Sequence, residues 1–161
     1  MTPTPQITPR KTAGSTPGKA EDSNTLVITR RLSAAPERVY AAFTRPELAR
    51  QWMAPGELSV SQVEIDARVG GRYRIVMAGA GRESYSPSGV YEEIVANRKL
   101  VYTWKWAHED LVTRVTIELR AVGDGETELT LTHTGFADAD MRKSHEEGWT
   151  GCFLKLAAAV A

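Results

Sequence analysis

Cysteine is almost missing from this chain: Cys152 is the single one in 161 residues. An intrachain disulfide and a cysteine-built metal cluster are thereby excluded within one chain. Histidine is scarce too. His108, His133 and His145 are scattered, with no His-x-x-x-His pair to seat a structural metal, so no metal is expected. Net charge is also lacking, since 20 Lys and Arg balance 20 Asp and Glu. No basic run stands alone, and nucleic acid is not an expected partner. Long apolar runs are absent. No segment approaches the ~18 apolar residues of a membrane span, and the first residues lack a signal peptide's apolar core. With one unpaired thiol, these absences point to the cytoplasm. No glycine loop precedes a helix as a phosphate cradle would, and no Gly-x-Ser-x-Gly elbow occurs, so no cofactor is expected.

What is present is an ordinary globular mixture. Hydrophobic residues make up 42% and charged residues 25%, enough apolar content for one domain with a real core. Residues 1–24 are the exception. They are rich in Thr, Pro, Gly, Ser and Lys, with Ile7 the only large aliphatic residue after Met1. Such a segment is expected to be a disordered tail, because it buries too little to offset chain entropy.

The domain is expected over 25–161. Leu26 to Leu32 reads as a strand by its β-branched content. Pro36 opens a helix carrying Val39, Tyr40 and Phe43 on one face. Arg45-Pro46 breaks it, and Glu47 to Trp52 is expected as a second short helix. The period then becomes two. Strands are expected around Val60 to Asp66, Arg72 to Met77, Ser88 to Val95, Leu100 to Trp106, Val112 to Arg120 and Glu128 to Thr134. The turns between them carry Gly70-Gly71, Gly79 to Gly81, Asn97 and Gly123 to Gly125. The chain closes with an amphipathic helix from Asp140 to Val160, capped by Asp138 or Asp140. Short turns imply antiparallel pairing. The expected fold is therefore α+β: a curved antiparallel sheet of about six to seven strands around a long C-terminal helix, with two short helices after the first strand.

This order resembles the helix-grip fold of the START and birch-pollen-allergen superfamily, SRPBCC. More narrowly it is similar to the bacterial relatives of the activator of heat shock protein 90 ATPase. The resemblance is carried by Ala35-Pro36-Glu37-Arg38-Val39-Tyr40 through Thr44, by Pro46-Glu47-Leu48 with Gln51-Trp52, and by Val69-Gly70-Gly71-Arg72-Tyr73-Arg74. It continues in Gly89-Val90-Tyr91-Glu92-Glu93-Ile94, Arg98-Lys99-Leu100-Val101-Tyr102-Thr103-Trp104, Thr127 to Gly135, and Gly148-Trp149. Members of the superfamily bind lipids, sterols, polyketides or hormones, and some are enzymes. The namesake stimulates a chaperone but has an additional N-terminal domain, for which a 24-residue tail is too short.

A long helix over a curved sheet leaves a space unless large side chains fill it. Residues expected to line that space are Trp52, Tyr73, Ile75, Met77 and Tyr91, together with Trp104, Trp106, His133, Trp149 and Phe153. Packing alone would favour Leu and Ile; Trp and Tyr bring N–H and O–H groups that need partners. Gly148 and Gly151 inside the last helix cost about 1 kcal/mol each against alanine. Close approach of a strand, or room for a ligand, would explain them. His133 lies on an apolar strand face and is either a catalytic acid or base or a satisfied core residue. Of Glu92 and Glu93, at most one points inward, where Arg74 or Arg114 would be its partner; the commoner reading of such a pair is a solvated sheet face. Three functions stand open. The first is a binding protein for a small hydrophobic or amphipathic molecule. The second is an enzyme using the same cavity. The third is a protein-interaction module, with a chaperone partner among its cases; a weak homodimer is a further expectation.

Overall fold

The computed structural model describes residues 24–81 and 83–161. The expected tail lies outside them except for Asn24, whose carbonyl accepts from Gly135 N at 2.9 Å. Strand β1 (Thr25–Leu32) leads to α1 (Pro36–Thr44) and α2 (Pro46–Ala49). The strands β2 (Ser59–Ile65), β3 (Arg72–Ala78), β4 (Ser84–Tyr85), β5 (Pro87–Val95), β6 (Lys99–Trp106), β7 (Thr113–Ala121) and β8 (Thr127–Thr134) follow, then α3 (Ala139–Val160). This is the helix-grip order, in eight strands because the two-residue β4 adds a short pairing with β3.

Local chemistry sets the boundaries. Pro36 and Pro46 both stand in first turns, where a missing N–H costs nothing. Arg45 is extended (φ −101°, ψ 123°), as a residue before proline must be, and so α1 stops there. The second helix is shorter than expected. It spans Pro46–Ala49, and the chain then winds through turns that hold Trp52. At the other end of the chain, Asp138 caps α3, its Oδ1 accepting from Met141 N at 2.8 Å.

All strand pairs are antiparallel, in the order β1-β8-β7-β6-β5-β3-β2. The first and second strands are thus the two edges, and α1 and α2 carry the chain from one to the other. Alternation places Val115 and Ile117 of β7 and Leu129 and Leu131 of β8 on the inner face, all fully buried. The C-terminal half of α3 packs solidly there through Phe153, Leu156 and Val160. Arg38 fastens α1 to the helix end, donating from Nε to Val160 O at 2.7 Å.

Besides a register shift in the β2–β3 pair at Val60/Gln62, the ladder opens between β5 and β6. Gly89 faces Tyr73 on β3, and a Cβ on Gly89 would lie 1.9 Å from Thr103 O. That bare backbone lets the Tyr73 hydroxyl donate to Thr103 O at 2.6 Å, while Thr103 Oγ1 accepts from Val90 N at 2.9 Å. A second irregularity of the β5–β6 pair follows at Tyr91/Glu93, after which the side chains resume alternation. Both lie beside the site.

Candidate functional site: an aromatic cavity under the helix

The N-terminal half of α3 presents one stripe: Met141, Ser144, His145, Gly148, Trp149 and Cys152. Their steps of three and four residues put them on a single face. Opposite lie inward strand positions, Tyr73, Ile75 and Met77 of β3, Tyr91 of β5, and Tyr102, Trp104 and Trp106 of β6. The loop before β2 closes a third side with Met53, Pro55 and Leu58. Between these walls is a cavity of about 570 Å³, within the ~300–1,000 Å³ typical of small-molecule sites. Its polar edge is formed by Tyr85, by His108 and Glu109 in the turn after β6, and by Ser144. All four are exposed.

Seven of the ten residues singled out from sequence are brought together on this wall: Tyr73, Ile75, Met77, Tyr91, Trp104, Trp106 and Trp149. Trp52, His133 and Phe153 stand behind it. Trp52 packs edge-on against Phe43 (4.7 Å between rings) and donates from Nε1 to Ala42 O at 2.9 Å, so α1 uses its polar handle. Phe153 fills the space between Trp52 and Trp149.

His133 is fully buried and both ring nitrogens are committed. Trp149 Nε1, which only donates, reaches Nδ1 at 3.1 Å. The proton must then reside on Nε2, which donates to Thr113 Oγ1 at 2.7 Å. Thr113 passes its own hydrogen to Trp104 O at 3.2 Å. The chain is directional and complete for a neutral imidazole. Burial, with the nearby His145 adding to it, pushes the His133 pKa well below its ordinary value. It is a satisfied core histidine that orients Trp149, and it does not line the cavity.

His145 does line it, in the opposite tautomer. Trp106 Nε1 donates to its Nε2 at 2.9 Å, so Nδ1 carries the proton and donates to Met141 O at 2.8 Å. Burial again lowers its pKa, opposed by the Met141 carbonyl and Glu109. Neither histidine presents a free nitrogen for acid–base work.

The carboxylates are elsewhere. Glu92 is exposed and pairs with Arg114 at 2.7 Å, the Arg114 hydrogen bond holding its pKa down. Glu93 is exposed and lies 3.4 Å from Lys99. Both carboxylates thus lie on the solvated face, the commoner of the two readings of this strand, and the register shift after Tyr91 lets neighbouring residues share that side. Cys152 meets the cavity as a thiol, since burial pushes its pKa up to about 12.

The two glycines of α3 have different reasons. A Cβ on Gly148 would meet nothing within 4 Å, whereas one on Gly151 would lie 3.0 Å from Pro55 Cβ. Thus Gly148 gives room to the cavity, and Gly151 admits the 53–58 loop, not a strand. Lys155 pins that loop by donating to Ala54 O at 2.6 Å and Leu58 O at 3.0 Å.

Sequence reasoning missed several wall residues. Tyr102 was legible, because it shares the strand face of Trp104 and Trp106. Met53, Pro55 and Leu58 lie in an aperiodic loop and carried no signal. His145, Met141 and Ser144 follow from the helical stripe once the cavity is known to reach the first turns of α3. Two hydroxyls on the wall, those of Tyr91 and Tyr102, make no hydrogen bond among the described residues. The Trp104 Nε1 atom is buried and unpartnered among them as well.

Comparison with known proteins places this architecture. The family described as Activator of Hsp90 ATPase homolog 1-like protein matches residues 33–161. A solved protein of Chromobacterium violaceum is 33% identical with a TM-score of 0.79, over 85% of this chain and 96% of that one. The AHSA1 protein of Silicibacter pomeroyi is 30% identical with a TM-score of 0.74, over 83% and 95%. A protein of Nitrosomonas europaea follows at 26% and 0.74, over 86% and 94%. No curated protein matches. The family match spans the two short helices, every later strand and the gripping helix, and the chain belongs to the Activator of Hsp90 ATPase homolog 1-like family.

Proposed function

We propose that the protein binds a small hydrophobic or amphipathic molecule, lipid-like or aromatic, between the sheet and α3. The observation that carries this reading is the cavity of about 570 Å³ beneath Gly148, at a helix position where a side chain would have had free space. A chain selected only for stability would pack these apolar walls against one another, since each Å² of apolar surface removed from water contributes about 25 cal/mol. It would also replace a mid-helix glycine by alanine, which is better by about 1 kcal/mol. The occupant is held by contact with aromatic and thioether surfaces, and hydrogen bonds to the few polar groups set its orientation.

Catalysis has weaker support. Both ring nitrogens of His133 and of His145 are engaged, and Glu92 and Glu93 lie outside the cavity.

Native mass spectrometry of the freshly purified full chain is the first test, with a co-purified small adduct as the expected result. The second is titration with Nile red, an uncharged apolar dye, read by its emission and by quenching of the tryptophans on the wall. A chain that carries no adduct and leaves Nile red emission unchanged would not be a binder of this class.

A further inference from the structure

We propose that the cavity selects by charge: its ligand is an uncharged, ring-bearing molecule with a neutral hydrogen-bonding oxygen, and anionic amphiphiles of the fatty-acid type are rejected. This rests on the binding reading above and adds the chemical class of the ligand.

Three observations carry it. First, no Lys or Arg among the described residues lines the cavity. A carboxylate drawn inside would lose its water without gaining an ion pair, and an unpaired buried charge is strongly unfavourable. Second, Glu109 stands at the polar edge, the one carboxylate on the lining among the described residues. A ligand carboxylate left at that edge for hydration would meet like charge. The His108 beside it already faces Glu109, at 3.6 Å. The positive end of α3 offers no alternative, because the Asp138 carboxylate accepts from Met141 N and Asp140 adds a second negative charge to the first turn.

Third, the polar atoms inside are neutral and unspent. Tyr91 and Tyr102 sit with rings 5.7 Å apart, and neither hydroxyl has a partner among the described residues. Burial raises both phenol pKa values, so they stay protonated. Protonated phenols on an aromatic wall suit a carbonyl or hydroxyl oxygen. The rings of Tyr73, Trp104, Trp106 and Trp149 flank them among aliphatic and thioether side chains such as Ile75 and Met77, a surface that takes planar rings edge-on or offset. A cation would gain from the ring faces, yet no carboxylate among the described residues lies in the deep wall to compensate it. An uncharged ligand therefore fits better than either ion.

The test uses three near-isosteric probes against the full chain, measured by calorimetry at low and physiological salt: 2-acetylnaphthalene, 2-naphthoate and 2-naphthylmethylammonium. The expected order places the ketone first and the carboxylate at least about tenfold weaker, the factor that ~1.4 kcal/mol represents. In Glu109→Lys the ratio of naphthoate affinity to ketone affinity should rise about tenfold. Naphthoate binding as tightly as the ketone overturns charge selection and leaves the cavity reading intact. An ammonium probe that binds tightest overturns the uncharged assignment. If none of the three binds to the wild type, both this inference and the binding reading fall. If Glu109→Lys leaves that ratio unchanged, the role given to Glu109 is wrong and the proposal fails with it.

Discussion

Gly148→Ala is the substitution that most directly tests whether the space under α3 exists. Alanine is better than glycine by about 1 kcal/mol in a helix interior, because the unfolded chain loses less freedom on folding. That gain is offset only where the new methyl meets an obstacle. At Gly148 nothing lies within 4 Å of the Cβ position, so the full gain should appear. For a chain of this size it corresponds to a rise in Tm of about 3 °C. Gly151→Ala is the internal control. It carries the same propensity gain, but its Cβ would lie 3.0 Å from Pro55 Cβ and 3.4 Å from Gly56 N. The loop there is fastened by Lys155 and must give by a few tenths of an ångström. Its rise should therefore be smaller than that of Gly148→Ala, or absent. Gly148→Leu completes the series. Leucine is nearly as good a helix former as alanine, and its side chain would project into the cavity. Nile red affinity should fall at least tenfold, about 1.4 kcal/mol, while Tm stays at or above that of the wild type. The assay is scanning calorimetry of the four proteins, followed by dye titration. A lower Tm for Gly148→Ala would refute the reasoning, because it would mean that the methyl meets something solid. Undiminished dye binding by Gly148→Leu would show that the dye does not occupy this cavity.

His133 ties stability to pH. Its folded pKa is depressed by burial, so below about pH 6.5 the unfolded chain takes up a proton that the folded chain refuses. Its contribution is complete above that pH and is lost as pH falls, at up to about 1.4 kcal/mol per pH unit. Urea unfolding at pH 7.5 and 5.5 should show this loss, and His133→Gln should flatten it; an equally steep His133→Gln curve would assign the effect to another group. His133→Ala should cost about 3 kcal/mol by chemical denaturation, since it strands the Trp149 N–H and opens a void. Lys155→Met should cost about 1–2 kcal/mol and speed hydrogen exchange in residues 53–58, because two loop carbonyls lose a charged donor. Glu92→Gln should alter neither dye binding nor, beyond about 0.5 kcal/mol, stability, because its pair with Arg114 is exposed.

Much of the fold was legible because its signals are periodic. Val115, Ile117 and Leu119 alternate with polar residues and are buried on one face. Met141 to Val160 repeats at helical steps, and α3 runs where that pattern runs. Proline marked both short helices, though α2 ended early once Trp52 turned back to the Ala42 carbonyl. The site was legible only in part, for a definable reason. Periodicity identifies the inner face of an element and is silent about what stands opposite. Trp52 and Trp149 look alike in sequence, both aromatic and both inward. One faces α1 and the other the cavity, and only the packing of α1 against the sheet decides between them. Gly148 and Gly151, three residues apart, differ for the same reason: the loop at Pro55 reaches one and not the other.

A cavity walled by large rings must resist collapse, and the hydrogen bonds behind the rings explain how this one does. An aromatic side chain has two principal torsions, and a single directional bond at its polar tip removes most of its remaining freedom. Tyr73 is tied to Thr103 O, Trp106 to His145 and Trp149 to His133. Each tie ends on a group that is itself fixed, by the sheet ladder, by Met141 O or by Thr113. To swing into the space, any of these rings would have to leave a donor or a nitrogen unpaired in a buried setting, at a cost of about 1–3 kcal/mol. Filling the void would return less than that for a small rotation. Tyr73, Trp106 and Trp149 are therefore held in place, and the untied rings of Tyr91, Tyr102 and Trp104 are packed among them. His133, which touches none of the space, acts on it only as the brace of Trp149. His133→Ala should accordingly weaken Nile red binding even at temperatures where the protein is fully folded. If its affinity equals that of the wild type under those conditions, Trp149 does not need its brace, and the wall keeps its shape through packing alone.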